Sequence, residues 1–136
     1  MNFVSDVKKI DHVCYTDNGN LIPIQFDSSL PFLPKRIFYV YGAPKNCKRG
    51  NHAHKNTEQI LTCINGSCEI ACKDGTSTSY FNLENPKESL YIPSGIWDEI
   101  IYLEENTILL VMSSTFYNRD DYIEDFDVFV KYRGSK

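Results

Sequence analysis

The segment Arg49-Gly50-Asn51-His52-Ala53-His54-Lys55 places two of the chain's three histidines within three residues, with cations on both sides and Glu58 and Gln59 close behind. Two residues apart on an extended strand, His52 and His54 project to the same face. Such a pair supports two kinds of chemistry. With a carboxylate such as Glu58 or the later Asp98, two imidazoles clamp a divalent cation. Left neutral, near the ordinary imidazole pKa of about 6.5, they take and return protons at neutral pH. Arg49, Lys55 and Lys48 make the segment locally basic in a chain of net charge −4, which is what a phosphorylated ligand requires. His12 has no partner nearby in sequence and is given no role.

The elements that must hold this segment are short strands. Turn signals recur at Asp17-Asn18-Gly19, Gly42-Ala43-Pro44, Asn65-Gly66, Asp74-Gly75, Asn85-Pro86 and Pro93-Ser94-Gly95. Between them lie runs rich in Ile, Val, Tyr, Phe and Leu at 36–41, 57–64, 67–73, 76–83, 89–92 and 107–113. That spacing predicts an all-β sandwich or barrel. Only 118–136 departs from it, with Tyr122, Phe126 and Phe129 at helical spacing. With no repeat, low-complexity tract or linker, residues 1–136 are expected to form one domain.

Two turns predict hairpins, and hairpins assign faces. Across Asn65-Gly66, Cys63 is expected opposite Cys68, Leu61 opposite Ile70 and Gln59 opposite Cys72, all pointing inward. Thr62, Ile64, Glu69 and Lys73 then point outward. Gln59 becomes a buried polar group five residues past His54, a candidate ligand contact. Glu58 points outward by the same alternation, which weakens it as a metal ligand. Across Asp74-Gly75 the same rule turns Ser77, Ser79 and Phe81 inward and Tyr80 outward.

Larger blocks carry a resemblance. His52, His54 and Glu58, followed by Pro93-Ser94-Gly95-Ile96-Trp97-Asp98, resemble the two short motifs of the cupin superfamily, which implies a jelly-roll barrel with a short helical or irregular C-terminal tail. Arg36-Ile37-Phe38-Tyr39-Val40-Tyr41, the Arg49 to Lys55 block, the run from Gln59 to Cys68, and Asp121-Tyr122-Ile123-Glu124-Asp125-Phe126 resemble the sugar 3,4-ketoisomerases of that superfamily. The resemblance implies a metal-independent and cofactor-free enzyme, usually a homodimer, acting on dTDP-4-keto-6-deoxyglucose or a similar nucleotide sugar in deoxysugar synthesis for surface polysaccharides. It implies His52 as the base and His54 as its orienting or shuttling partner. Arg49 and Lys55 then meet the diphosphate or the enediolate. Gln59, Tyr39, Tyr41, Trp97, Asp98 and Asn18 are the further substrate contacts it suggests, the tyrosines as phenolic donors or a thymine platform and Trp97 as a sugar platform. Asn18 and Asp98 stand where relatives often carry basic residues. A metal-dependent cupin of dioxygenase type and a non-catalytic nucleotide-sugar binding module are the alternatives.

Bulk properties narrow the classes. At 136 residues, 42% hydrophobic and 24% charged, the chain is large enough for a core and shows no nucleic-acid surface. It contains no apolar run long enough to span a bilayer, which takes roughly 18 residues, and no signal-like start, so a cytoplasmic enzyme is expected. Five cysteines, an odd number without CxxC pairs, predict reduced core thiols and neither a disulfide framework nor a zinc site.

Overall fold

In the computed structural model, which describes residues 1–134, ten strands form two facing antiparallel sheets, and two more form a separate ribbon. The first sheet orders β1 (Lys8–Asp11), β9 (Glu88–Ile92), β6 (Gln59–Asn65), β11 (Ile108–Ser113) and β4 (Arg36–Val40). The second orders β12 (Tyr122–Ile123), β5 (Lys48–His54), β10 (Trp97–Tyr102), β7 (Cys68–Lys73) and β8 (Thr78–Leu83). The ribbon pairs β2 (Tyr15–Thr16) with β3 (Asn20–Leu21). This is the expected jelly roll.

One predicted hairpin is absent. Residues 65–67 carry the chain from the first sheet to the second, so β6 pairs with β9 and β11 while β7 pairs with β10 and β8. The inward faces were nevertheless assigned correctly. Leu61 and Cys63 from one sheet meet Cys68, Ile70 and Cys72 from the other in one apolar core. Parity along a strand is local, whereas the choice of partner strand depends on where the whole chain goes. Cys63 and Cys68 therefore meet face to face across the core, Sγ to Sγ 3.9 Å, as free thiols.

The other hairpin forms: Cys72 pairs with Ser79 and Ile70 with Phe81. Ser77 is a correction. It lies exposed in the turn, its N–H donating to Asp74 Oδ1 at 2.8 Å, so it has no inward face to occupy. Tyr80 points outward as expected.

The outer face of the first sheet is covered where the sequence suggested exposure. Leu30 packs on Ile60 and Met112, with Ile10, Ile24 and Phe32 alongside, so Thr62 is buried and bonds Ser89 Oγ at 2.5 Å. His12 Nε2 meets the same Ser89 hydroxyl at 2.7 Å and serves to pin this arm.

The tail divides. Tyr122 belongs to β12, not to a helix, and α1 spans Phe126–Gly134. Asp125 caps α1 through a 3.0 Å bond from the Val128 N–H to Oδ1. Phe129 of α1 packs on Trp97, Ala53 and Ile123, covering the outer face of the second sheet. Residues 135–136 of the predicted tail lie outside the described residues. Among the described residues no helix is long and apolar enough to cross a membrane.

Candidate functional site

Directly paired residues share a face, so the registers show what lines the interior. On the first sheet Arg36, Ser113, Gln59 and Ile92 form one inward row, and Phe38, Val111, Leu61 and Leu90 form the next. On the second, His52, Asp98 and Cys72 form a row, as do Arg49, Ile100 and Ile70. Strict alternation would put Arg49 and His52 on opposite faces. The register instead slips between Asp98 and Glu99, and Gly50 and Asn51 take positive φ values of 83° and 58°. This bulge reverses the parity of β5, so that Arg49 and His52 both line one cavity. The cavity holds about 80 Å³, with Gln59, Asp98 and Tyr122 among its polar walls and Leu61, Val111 and Ile100 among its apolar ones. Two wider depressions, of about 490 and 500 Å³, lie elsewhere on the surface and contain neither histidine.

Behind His52 stands His54, ring centroids 5.1 Å apart and nearly perpendicular. Its Nδ1 lies 2.9 Å from Asp121 Oδ2. Asp121 is held in turn by the Thr57 hydroxyl at 2.5 Å and the Asn56 N–H at 2.7 Å, and those donors with His54 keep its carboxyl below the usual range despite burial. An ionised Asp121 accepts the Nδ1 proton and leaves His54 Nε2 with a free lone pair, and that nitrogen is buried without a protein partner. Burial lowers the pKa of both imidazoles, so each is neutral at pH 7. Tyr122 packs on both rings, at 5.2 Å from His52 and 4.3 Å from His54.

Asp98 is the carboxylate of this cavity. It is 2% exposed, and its Oδ1 fills the space at Gly50 where a Cβ would lie only 2.7 Å away. Burial pushes its carboxyl up to about 6, with His52 opposing the shift.

The structure therefore brings together His52, His54, Arg49, Gln59 and Asp98 of the residues read from sequence. It leaves five aside. Trp97 lies on the opposite face of β10, 3% exposed between Phe126 and Phe129, with its indole N–H donating to Glu99 Oε2 at 2.9 Å. Tyr39 points away from the cavity by register, and Tyr41 follows the strand end. Both are exposed and lean on each other at 6.4 Å. Lys55 is exposed beside Ser94 and Arg133. Asn18 sits exposed at the tip of the β2–β3 ribbon with φ 56°. Glu58 also faces out and accepts the Tyr91 hydroxyl at 2.6 Å, so no His52-His54-Glu58 clamp is assembled. Among the described residues no three His, Cys, Asp or Glu side chains converge as a metal site.

Three participants were not legible beforehand. Asp121 and Tyr122 arrive from the C-terminal segment, whose resemblance to the family carried no site role for either residue. Arg36 sits on the inward row with Gln59, its guanidinium 5.6 Å from the rings of both Phe38 and Tyr117, and its charge lowers the pKa of His54. The early signals for Arg36 were its place at the head of the family-like block 36–41 and its parity with Phe38 on that strand.

Comparison with known proteins agrees with this geometry. Residues 4–134 match the family described as FdtA: WxcM-like, C-terminal. The chain is 34% identical over 131 residues to the TDP-4-oxo-6-deoxy-alpha-D-glucose-3,4-oxoisomerase of Aneurinibacillus thermoaerophilus, covering 96% of this chain and 91% of that one. A 3,4-ketoisomerase from Helicobacter canadensis superposes with a TM-score of 0.91 at 37% identity, over 95% of this chain and 98% of that one. The sugar 3,4-ketoisomerase QdtA of Thermoanaerobacterium thermosaccharolyticum, solved with TDP, gives 0.92 at 32% identity over 97% of both chains.

Proposed function

The chain belongs to the FdtA (WxcM-like, C-terminal) family, and from that premise we propose that it is a TDP-sugar 3,4-ketoisomerase that moves the carbonyl of a TDP-4-keto-6-deoxyhexose from C4 to C3. The observation that carries the reading is a neutral His52 on the cavity wall, backed by the His54–Asp121 pair. Carbonyl migration removes the C3 proton, passes through an enediol and puts a proton on C4. His52 is the base for C3. His54, fixed by Asp121, holds the neighbouring imidazole and offers a second proton store. General acid–base catalysis of this kind contributes roughly 10²–10⁴-fold.

The cavity takes only the reacting edge of the sugar, so the diphosphate and thymine lie at its mouth. Arg49 and Arg36 are the cations that would meet negative charge there. Gln59, whose Nε2 is 3.4 Å from Ser113 Oγ, orients a sugar hydroxyl. Trp97, Tyr39, Tyr41 and Lys55 do not line this cavity.

A homodimer fits the exposed surface. β4 is an edge strand; Ile37 and Tyr39 on it and Tyr41 just past its end are at least half exposed, as are Val13, Tyr15 and Leu21 around the ribbon. A two-stranded ribbon is marginal alone, and an apolar edge of this size calls for a partner. Asn18 keeps a substrate role only if the ribbon tip serves the partner's cavity.

Incubation of chelator-treated protein with dTDP-4-keto-6-deoxyglucose in D2O, followed by proton NMR, tests the reading. Deuterium at the sugar ring with a new 3-keto product is expected. Absence of both, with activity appearing only when a divalent ion is restored, would return His52 and His54 to the role of metal ligands.

A further inference from the structure

Ketone migration moves two protons, not one. Starting from C4=O4 and H–C3–O3–H, the product has C3=O3 and H–C4–O4–H, so one hydrogen passes from C3 to C4 and another from O3 to O4. The imidazoles account for the carbon proton. We infer that Asp98 is the catalytic acid–base group for the oxygens, carrying the proton from O3 to O4. This rests on the isomerase reading above.

Tyr122, the phenol on this wall, packs its ring against both imidazoles, and the remaining polar groups are less suited to that task than Asp98. Gln59 donates and accepts hydrogen bonds but does not give up a proton, and Arg49 stays charged. Burial raises the Tyr102 phenol further above its ordinary range. Cys72, which faces Asp98 from β7, is a thiol held protonated by burial. Asp98 pairs directly with His52 across the strands, so a substrate presenting C3 to His52 presents O3 and O4 to the neighbouring carboxyl. The two oxygens of one protonated carboxyl place a donor beside an acceptor, which matches the side-by-side oxygens of an enediol. Gly50 makes room for this group, since any side chain there would collide with Oδ1. The upward shift of the carboxyl to about 6 keeps a protonated fraction near neutrality, and substrate closing the cavity removes further water.

The sequence of transfers balances. His52 takes the C3 hydrogen as C3=C4 forms, and the C4=O4 π electrons take the Asp98 proton at O4. The enediol then returns its O3 proton to the Asp98 carboxylate as C3=O3 forms, while C4 receives a proton from the imidazolium. Asp98 ends protonated and His52 neutral, as they began, and no oxidant or reductant is consumed.

Asp98→Asn keeps the shape and the hydrogen bonds but cannot carry a proton. In D2O with dTDP-4-keto-6-deoxyglucose, its expected signature is dTDP affinity within about twofold of wild type and kcat lowered about 100-fold. Loss of deuterium exchange at C3 should be smaller than loss of ketone migration, so the exchange-to-turnover ratio rises, and Asp98→Glu should recover part of kcat. Wild-type kcat in Asp98→Asn would overturn the inference, as would equal loss of exchange, turnover and dTDP binding, the mark of a structural residue. If wild-type protein itself gave neither exchange nor product, the isomerase reading would fall, a result separable from failure of Asp98 alone.

Discussion

The two ends of the interior are lined by the same strands and filled in opposite ways. At one end β4, β11 and β6 contribute Arg36, Ser113 and Gln59, and β5 and β10 contribute His52 and Asp98. At the other, the same inward parity gives Val40, Leu109 and Cys63 facing Tyr102 and Cys68. The apolar end gains stability with each side chain that leaves water. The polar end is held against its own cost: a carboxyl out of water, an imidazole nitrogen without a partner, and a bulge with two positive φ angles. The candidate site sits where the sandwich carries these costs, and the apolar end offsets them.

Substitutions should separate the two ends. His52→Asn is expected to lower kcat about 10³-fold while dTDP affinity and the unfolding midpoint stay put, read by NMR turnover and denaturant titration. A fall in stability to match would mean that His52 belongs to the packing. At the apolar end, Ile70→Ala should cost about 3 kcal/mol in denaturant unfolding and leave kcat unchanged where the protein remains folded. Asp98→Asn should do the reverse of Ile70→Ala. A carboxyl raised to about 6 is destabilised in the folded state at higher pH, so the amide should gain on the order of 2 kcal/mol at pH 8. That gain should shrink as pH falls through 6 and vanish only well below about 4, where the carboxyl is protonated in the unfolded chain as well.

Trp97 tests the boundary of the polar end. Trp97→Phe loses the bond to Glu99, should cost about 1 kcal/mol, and should leave KM unchanged, because the ring lies under α1 and not in the cavity. A raised KM would place substrate on that face. The smallest effect is in the pH profile. Burial lowers both imidazoles, so the acid limb of kcat/KM should have its midpoint below 6.5. The imidazoles' contribution to stability should also fall as pH drops below 6.5, opposing that of Asp98, since the unfolded chain binds protons that the buried rings refuse.

Much of this contrast was legible beforehand, and the misses share a cause. Leu61, Cys63, Ile70 and Cys72 were placed inward correctly even though β6 and β7 were paired wrongly, because two facing sheets and a hairpin demand the same parity. The resemblance suggested Trp97 as a sugar platform, yet it neighbours the inward Asp98 on a strand and so points to the opposite face. Tyr39 faces away from the cavity for the same reason, beside Phe38, which does line it. Arg49 reached the cavity only through the bulge at Asn51, for which Gly50-Asn51 was a faint signal.

What the sequence determined by itself was local: alternation along each strand, turns rich in Gly, Asn and Pro, a basic His-x-His segment, and blocks specific enough to indicate the family. These depend on period-two geometry and side-chain chemistry within a few residues. The tertiary structure decided which sheet each strand joined, that Asp121 crosses 67 positions to hold His54, and that Tyr122 closes against both rings. It also decided that Asp98 lies in the dark next to His52. Such contacts are set by burying two sheets against one another, a long-range balance that no short stretch of the chain contains.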